Sequence, residues 1–410
     1  MAAEPIDKFI ERPQPIGIFP LPAGYLLLPA TTDRAAAANV LRGTCPHPWP
    51  AEWCFLAAVL DRDMKTALEL LPVGPLGDYN RLVLSPSAEQ FEQARKTPLR
   101  PLAEVVGYSL GLIDRPPAAD GLTGELLAHV LAAHAAYAIA ANDRAAAEEH
   151  LTAAVTAARD SSPLLAAQLL GQLAALLKDD PDRFPEAVNH YKDAIQFAGD
   201  TPLVWLRAEL WLSLGLTYQE QADGRRGMLL EAIKAYQQAI ACGLSMDCHA
   251  DLFAEAHNNL ALAYLSVPPT AASDQLRMAV AMQSFREALK VFTKEAQPER
   301  WASTTLNLAN ALQYLPSGHP AENLMQAVAL YDEVLTVRTR AGDPVGYARV
   351  LANQANALAH LGQFSQALEK LNEAYKLFHW HEEPQAAASV MELVDQITVA
   401  RNQAAAPVGG

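Results

Sequence analysis

The chain has 410 residues, of which 51% are hydrophobic and 19% charged, so it contains enough apolar material for a large core. Its formal net charge of -15 repels phosphate, which argues against nucleic acid and anionic membranes as partners. Four cysteines are too few for a disulfide framework at this length, no secretory signal is visible and no segment is apolar enough to span a bilayer, so we expect a cytoplasmic protein.

The first part of the chain is rich in proline. Sixteen of the 28 prolines lie within the first 120 residues, and this shift in composition predicts a linker at residues 116–122. Upstream of it, short helical patterns, one of them opened by Ser87 and Gln90 as a capping box, predict a mostly helical N-terminal domain over residues 1–115.

One motif of this N-terminal region suggests catalysis. Residues 107–111 match G-x-S-x-G, the turn that exposes the nucleophile of many serine hydrolases, with Ser109 as the nucleophile. That turn requires a strand before the serine and a helix after it. Because two prolines follow at 116 and 117 and the rest of the chain has helical patterns, a hydrolase acting through Ser109 is kept only as an alternative.

The region after the linker contains a repeated pattern: Ala, three residues, a bulky apolar residue, two residues, then Ala or Val. Offsets of four and three place these residues on one face of a helix. Successive copies begin 40 to 49 residues apart, which is the period of a solenoid built from helical hairpins. The six copies are Ala147/Leu151/Ala154, Ala187/Tyr191/Ala194, Ala232/Tyr236/Ala239, Ala281/Phe285/Ala288, Ala327/Tyr331/Val334 and Ala367/Leu371/Ala374.

A second helical pattern precedes each of the later copies. Its clearest example runs from Trp211 through Gly215 to Tyr218, and other copies have a small residue where Gly215 stands, at Ala261, Ala309 and Ala355. A small residue at this position allows the two helices of a hairpin to cross closely. Prolines indicate where new hairpins begin. Three of them directly follow a residue that can cap a helix, in the pairs Ser162-Pro163, Thr201-Pro202 and Asp343-Pro344.

These residues resemble the tetratricopeptide repeat, whose pattern is W-x2-LG-x2-Y followed by A-x3-F-x2-A. Over about residues 123–403 the chain is similar to the longer repeats of bacterial multi-repeat proteins and kinesin light chains, as in residues 298–310. The resemblance implies an all-α fold, an α-solenoid of about six helical hairpins that follows the smaller helical domain. Residues 385–401 would form a capping helix, and residues 404–410 a disordered tail. The function it implies is that of a non-enzymatic scaffold or adaptor, which binds a partner polypeptide in the concave groove.

Residues that face the groove follow from the position of Trp211 in its helix. Equivalent positions carry asparagine in three successive repeats, and an amide can bind the backbone of an extended peptide whatever its sequence. The candidate partner-binding residues are Asn259, Ser303, Asn307, Asn310, Tyr314, Arg349, Asn353, Asn356 and His360. The sequence leaves open whether these amides contact a ligand or bond to one another and set the stacking of the repeats.

Two further functions fit the repeats. An assembly or maturation chaperone for a multi-subunit or metal-containing enzyme has the same sequence features as a general scaffold, and a regulatory sensor of signalling peptides usually needs an output domain as well. No phosphate-binding loop, dinucleotide fingerprint or HExxH motif is present, and residues 379–383, which contain two histidines, are best interpreted as a solvated turn. We therefore predict no catalytic residue, no metal site and no cofactor, whereas the partner and the oligomeric state do not follow from the sequence.

Overall fold

The structure is a computed structural model that describes residues 20–21, 24–268, 274–315 and 318–405. The regular secondary structure of these residues is helical apart from two short antiparallel strands, β1 (Pro20–Leu21) and β2 (Gly24–Tyr25). A single 3-10 turn, Ala51–Trp53, precedes the second helix. The first six helices are short: α1 (Arg34–Leu41), α2 (Cys54–Leu60), α3 (Met64–Glu69), α4 (Pro75–Leu84), α5 (Ala88–Ala94) and α6 (Arg100–Ser109).

Longer helices follow, and they pack as consecutive pairs. Those in the described residues are α7 (Gly124–Ala140), α8 (Arg144–Ala158), α9 (Pro163–Leu177), α10 (Phe184–Ala198), α11 (Val204–Glu220), α12 (Arg226–Ala241), α13 (Met246–Ser266), α14 (Asp274–Ala288), α15 (Pro298–Gln313), α16 (Pro320–Leu335), α17 (Pro344–His360), α18 (Phe364–Trp380) and α19 (Pro384–Ala405). Helix α7 packs on α8, α9 on α10, α13 on α14, α15 on α16, and α17 on α18. The predicted all-α fold of helical hairpins is confirmed.

The last of these helices, α19, packs against α18, which is the contact that the predicted capping helix would make. It continues through Ala405, so residues 404 and 405 are helical and not part of a disordered tail. The alanines at these positions favour helix, which explains the extension. Residues 406–410 lie outside the described residues. Among those that are described, no helix combines the length and the apolar character needed to cross a membrane.

The chain divides into two compact units, unit 1 over residues 1–217 and unit 2 over residues 218–410. The division falls within α11. Inside unit 1, α6 contacts α7 across residues 116–122. The domain boundary that the sequence predicts at these residues stays a prediction.

The repeated sequence pattern forms the cores of the helix pairs. The first alanine of each of the six copies is completely buried, and the bulky residue four positions later is at most 3% exposed. The small residues of the first helices, Gly215, Ala261, Ala309 and Ala355, are buried as well. Alanine removes bulk where two helices approach, and the aromatic or leucine side chain fills the space beside it.

Prolines begin most of the predicted helices. Helices α9, α15, α17 and α19 have Pro as their first residue, whereas α11 begins two residues after Pro202. A backbone N–H at the first position of a helix has no acceptor within the helix. Proline, which lacks this N–H, therefore loses no hydrogen bond there. Asp343 caps α17, because its Oδ1 accepts a hydrogen bond from the backbone N–H of Gly346 at 2.8 Å. The hydroxyl of Thr201, unlike the carboxylate of Asp343, acts as a donor: it donates a hydrogen bond to the carbonyl of Arg42 at 2.7 Å.

An extended segment, residues 26–28, is buried against the N-terminal helices of unit 1. Asn80, on α4 and completely buried, holds the backbone of Leu27. Its Nδ2 donates to the Leu27 carbonyl at 2.8 Å, and its Oδ1 accepts from the Leu27 N–H at 2.9 Å. The hydroxyl of Tyr79 donates to the carbonyl of Tyr25 at 2.9 Å. The two bonds to Leu27 satisfy backbone groups that lie outside regular secondary structure.

Candidate partner-binding face

The predicted partner-binding residues lie in unit 2, on the first helices of three hairpins. Helix α13 carries Asn259, α15 carries three of the residues and is followed directly by Tyr314, and α17 carries four. Helix α13 contacts α15, and α15 contacts α17. The surface formed by these three helices at the nine predicted positions is called here the first-helix face.

Several of these side chains bond to one another between α15 and α17. The Oδ1 of Asn310 accepts hydrogen bonds from the hydroxyl of Tyr331 at 2.7 Å and from Nδ2 of Asn353 at 3.0 Å. The Nδ2 of Asn356 donates to the hydroxyl of Tyr314 at 3.1 Å. These amides therefore connect adjacent repeats, which is the structural role that the sequence left open.

Two residues that the sequence pattern did not select also join the network. Asn258 donates to Oδ1 of Asn259 at 3.3 Å and accepts from the hydroxyl of Thr304 at 3.2 Å, so it links α13 to α15. Arg338, just after α16, donates to Oγ of Ser303 at 2.8 Å. The pattern missed Asn258 because this residue is one position away from the predicted groove row. Arg338 was missed because it follows a second helix.

Three predicted residues are left outside this network. Within the described residues, the half-buried side chain of Asn307 makes no hydrogen bond. Arg349 and His360 are exposed on α17, and Tyr314 is 64% exposed although its hydroxyl is bonded. The face therefore presents an amide, a guanidinium, an imidazole and an aromatic ring to the solvent.

Comparison with solved structures gives similar folds. The signal transduction ATPase PH0952 from Pyrococcus horikoshii, which has a tetratricopeptide repeat sensor, matches with a TM-score of 0.53 and 14% identity over 84% of this chain and 47% of that chain. The TPR2AB domain of yeast Sti1 matches with a TM-score of 0.27, 18% identity, 67% of this chain and 100% of that chain. BtubC from P. vanneervenii matches with a TM-score of 0.43, 18% identity, 62% of this chain and 92% of that chain. Searches against protein-family models and curated proteins find no match.

The pairs of helices, their buried marker residues and the match to PH0952 agree on one architecture. The fold is that of tetratricopeptide repeats. At this level of sequence identity the similarity concerns the fold alone.

Within the tetratricopeptide repeats, two tryptophans of the first helices lie at the edges of the hydrophobic core. Trp211 and Trp301 are half-buried. Trp301 packs against the core of unit 2, and the ammonium group of Lys294 lies 5.5 Å from the centre of its ring. A half-buried ring is consistent with the packing role that the family pattern gives to these positions, because one face contacts the core and the other meets solvent.

Ser109, before the tetratricopeptide repeats, does not form a nucleophile turn. It is the last residue of α6, and its Oγ donates to the carbonyl of Val105 at 3.0 Å. Gly107 lies inside the same helix, where an added Cβ would come within 2.2 Å of Cε2 of Phe91. The motif therefore reflects close helix packing, and the strand that a G-x-S-x-G nucleophile turn requires before the serine is replaced by a helix at Ser109.

Residues 379–383 form the end of α18 and the turn after it. The ring of His379 stacks on that of Tyr375, with centres 6.0 Å apart. Across the described part of the chain, no cluster of three or more His, Cys, Asp or Glu side chains is arranged to hold a metal ion.

Proposed function

We propose that the protein is a non-enzymatic scaffold or adaptor that binds a segment of a partner polypeptide on the first-helix face of unit 2. The observation that supports this most directly is Asn307, because the amides around it are bonded between repeats whereas its own amide has no hydrogen bond within the described residues. A half-buried amide that makes no bond within the protein is open to water or to a ligand, and a peptide backbone offers both a donor and an acceptor for it.

The chemistry of the face fits an extended peptide. The amide of Asn307 can donate to a backbone carbonyl and accept from a backbone N–H, so it would bind the peptide whatever its sequence. Arg349, exposed on α17, would add selectivity for a carboxylate on a side chain or at a C-terminus. The bonded amides at positions 310, 353 and 356 would hold the repeats in register beneath the peptide.

Site-specific photo-crosslinking tests this proposal. A photoreactive amino acid is placed at Asn307 or at Arg349, and as a control at Met325, which is 54% exposed on the second helix α16. We expect the first two positions to give a covalent adduct with the same protein from the native cell, and the control position to give none. Adducts formed from position 325 but not from 307 or 349 would place the partner elsewhere.

A second measurement on the captured protein separates a scaffold from an assembly chaperone. A scaffold binds the folded partner, which would remain resistant to limited proteolysis in the complex. An assembly factor binds an unfinished subunit, which would be cleaved rapidly. In both cases Asn307→Ala should weaken the purified complex, and an unchanged affinity would contradict the proposed face.

A further inference from the structure

Two arginines at the first-helix face have no carboxylate partner. Arg349 is exposed on α17, Arg338 is half-buried just after α16, and neither forms an ion pair within the described residues. Arg340, two residues after Arg338, differs from both, because its Nη1 lies 3.7 Å from Oε1 of Glu373. Two guanidinium groups of unit 2 therefore carry a positive charge that no contact with a described carboxylate neutralises.

The two unpaired arginines lie at a similar level of the face. Nη2 of Arg338 donates to Oγ of Ser303 at 2.8 Å, and Asn353 donates to Asn310 at 3.0 Å. The two hydrogen bonds between α15 and α17 show that these helices run in the same direction. Ser303 precedes Asn310 by seven residues, and Arg349 precedes Asn353 by four. At a rise of about 1.5 Å per residue, Arg349 therefore lies within about 5 Å of the level of Ser303 along the helix axis.

Further hydrogen-bond donors lie at the same level. The oxygen of Ser303 accepts from Arg338, so the hydrogen of this hydroxyl is available to donate. Asn307, one turn further along α15, makes no hydrogen bond within the described residues. The guanidinium of Arg338 makes one hydrogen bond in that part of the chain, to Ser303, and its Nε is buried without a partner. This end of the face thus combines two positive charges with donors that lack acceptors.

We propose that this end of the first-helix face binds the phosphoryl group of a phosphorylated serine or threonine in the partner segment. The inference rests on the proposed function and names the chemistry of the segment that is bound. A phosphoryl group on a side chain has a charge of about -1.5 to -2 at pH 7 and three acceptor oxygens. It matches Arg338 and Arg349 together, whereas a carboxylate, with one charge, matches Arg349 alone. Guanidinium groups bind phosphate through paired, charge-assisted hydrogen bonds.

The negative net charge of the chain is compatible with such a site. That charge disfavours polyanions such as nucleic acid, whose binding sums contacts to many phosphates. At physiological salt, interactions between exposed charges are largely screened beyond about 8 Å. A single phosphoryl group therefore responds mainly to the groups in contact with it, which here would be Arg338, Arg349 and Ser303.

The experiment uses the full chain with ¹⁵N-labelled arginine, and the Nε–H signals of Arg338 and Arg349 are assigned with Arg338→Lys and Arg349→Lys. The probes are the capped peptide acetyl-Gly-Gly-Ser-Gly-Gly-amide, the same peptide phosphorylated on serine, the same peptide with glutamate in place of serine, and inorganic phosphate. All are titrated at neutral pH and physiological salt. We expect the phosphoserine peptide to shift both signals saturably and to bind at least about tenfold more tightly than each of the other probes.

Two variants show whether the binding depends on the unpaired charges. Arg349→Gln should reduce the affinity for the phosphoserine peptide at least about tenfold, because it removes a charge-assisted contact. Arg349 is exposed, so this substitution leaves the core intact. The matched control, Arg340→Gln, removes an exposed arginine that already has a carboxylate partner, and it should change the affinity by less than about twofold.

Several results would overturn the inference. They are the absence of a saturable shift, equal binding of the phosphoserine and serine peptides, or equal losses from the Arg349 and Arg340 variants. A glutamate peptide that binds as tightly as the phosphoserine peptide would identify a carboxylate site. Inorganic phosphate that binds as tightly as the phosphoserine peptide would indicate an adventitious anion only.

Photo-crosslinking separates this inference from the proposed function. Adducts at positions 307 and 349 that form equally well with a phosphatase-treated extract would contradict a phosphorylated partner and leave the proposed function standing. The absence of adducts at both positions with an untreated extract would contradict the proposed function itself. We expect adducts with the untreated extract and a loss of at least about tenfold after phosphatase treatment.

Discussion

Asn310 joins three helices through one oxygen atom. Its Oδ1 accepts from Tyr331 of α16 and from Asn353 of α17, while Asn310 itself belongs to α15. A carbonyl oxygen has two lone pairs, so both bonds can be made at once. Asparagine at this position therefore contributes to the stacking of two successive repeats.

This arrangement predicts unequal effects for two neighbouring asparagines. Asn310→Ala should lower the free energy of unfolding by about 1 to 3 kcal/mol, because it leaves Nδ2 of Asn353 without an acceptor, whereas the hydroxyl of Tyr331 keeps Oε1 of Gln313 at 3.1 Å. Asn307→Ala should change it by less than about 0.5 kcal/mol, because no bond within the described residues is lost. Urea denaturation followed by circular dichroism measures both values. Equal losses would show that Asn307 also has a structural role.

The sequence placed these asparagines on one face but could not say how they are bonded. Their common face follows from helical periodicity, which is a local property. Which amide reaches which partner depends on the offset between α15 and α17, and that offset is set by packing along both helices. The same reason explains why Asn258 and Arg338 were not predicted.

His129, on α7, makes stability depend on pH. Burial lowers the pKa of His129 to about 4, against an ordinary value of 6.5. Between these two values the unfolded chain binds a proton that the folded chain excludes, so the contribution of His129 to stability falls as the pH falls from about 6.5 to about 4 and changes no further below that. Over this range the loss amounts to about 3 kcal/mol.

His129→Phe should remove this dependence, because phenylalanine keeps a ring beside Tyr25, whose ring centre lies 5.1 Å from that of His129. The measurement compares the free energies of unfolding of both proteins at pH 7 and pH 4.5, so that the titration of carboxylates cancels in the difference. We expect the natural protein to lose about 2 to 3 kcal/mol more than the variant. Parallel losses would mean that His129 is protonated in the folded state.

Among the helices, the sequence predicted best those features that depend on a periodic pattern of residues. The marker triplets, such as Ala281, Phe285 and Ala288, predicted buried cores because residues three and four apart share a helix face. The packing of the N-terminal region could not be predicted in this way. Its key bonds, such as that between Leu27 and Asn80, join residues 53 positions apart, and no local pattern encodes such a contact.

The cap of α17 gives a prediction at the same scale. Asp343→Ala should destabilise the protein by about 1 kcal/mol, because the N–H of Gly346 loses its acceptor. Asp343→Asn should have a much smaller effect, since the amide oxygen of asparagine also caps helices well. Thermal and urea unfolding of the two variants provide the comparison. A loss as large for asparagine as for alanine would point to the charge of Asp343 and not to its hydrogen bond.

For the whole molecule, the stacking of repeats makes stability local. In arrays of repeats each helix pair is stabilised mainly by its immediate neighbours. Unit 2 contains three packed pairs and the capping helix α19, so a defect near its end should affect the nearest helices most.

Leu371→Ala tests this expectation. Leu371 is completely buried in α18, and its truncation should destabilise the local structure by about 2 to 5 kcal/mol. Amide hydrogen exchange should show the greatest loss of protection in α17, α18 and α19, with a smaller loss in α13. Glu369→Ala, at an exposed position of the same helix, serves as the control. Uniform loss across unit 2 would instead indicate that it unfolds as a single cooperative block.

The buried asparagine on α4 shows how such a chain can capture an extended polypeptide. The carboxamide of Asn80 donates a hydrogen bond to the carbonyl of Leu27 and accepts one from its N–H. The side chain of Leu27 takes no part in these two bonds. Within this protein, then, a carboxamide on a helix binds a backbone segment through groups that every residue except proline possesses. The same pair of hydrogen bonds, one donated and one accepted by the carboxamide, would bind the backbone of a peptide to Asn307. In that case the peptide would belong to another molecule.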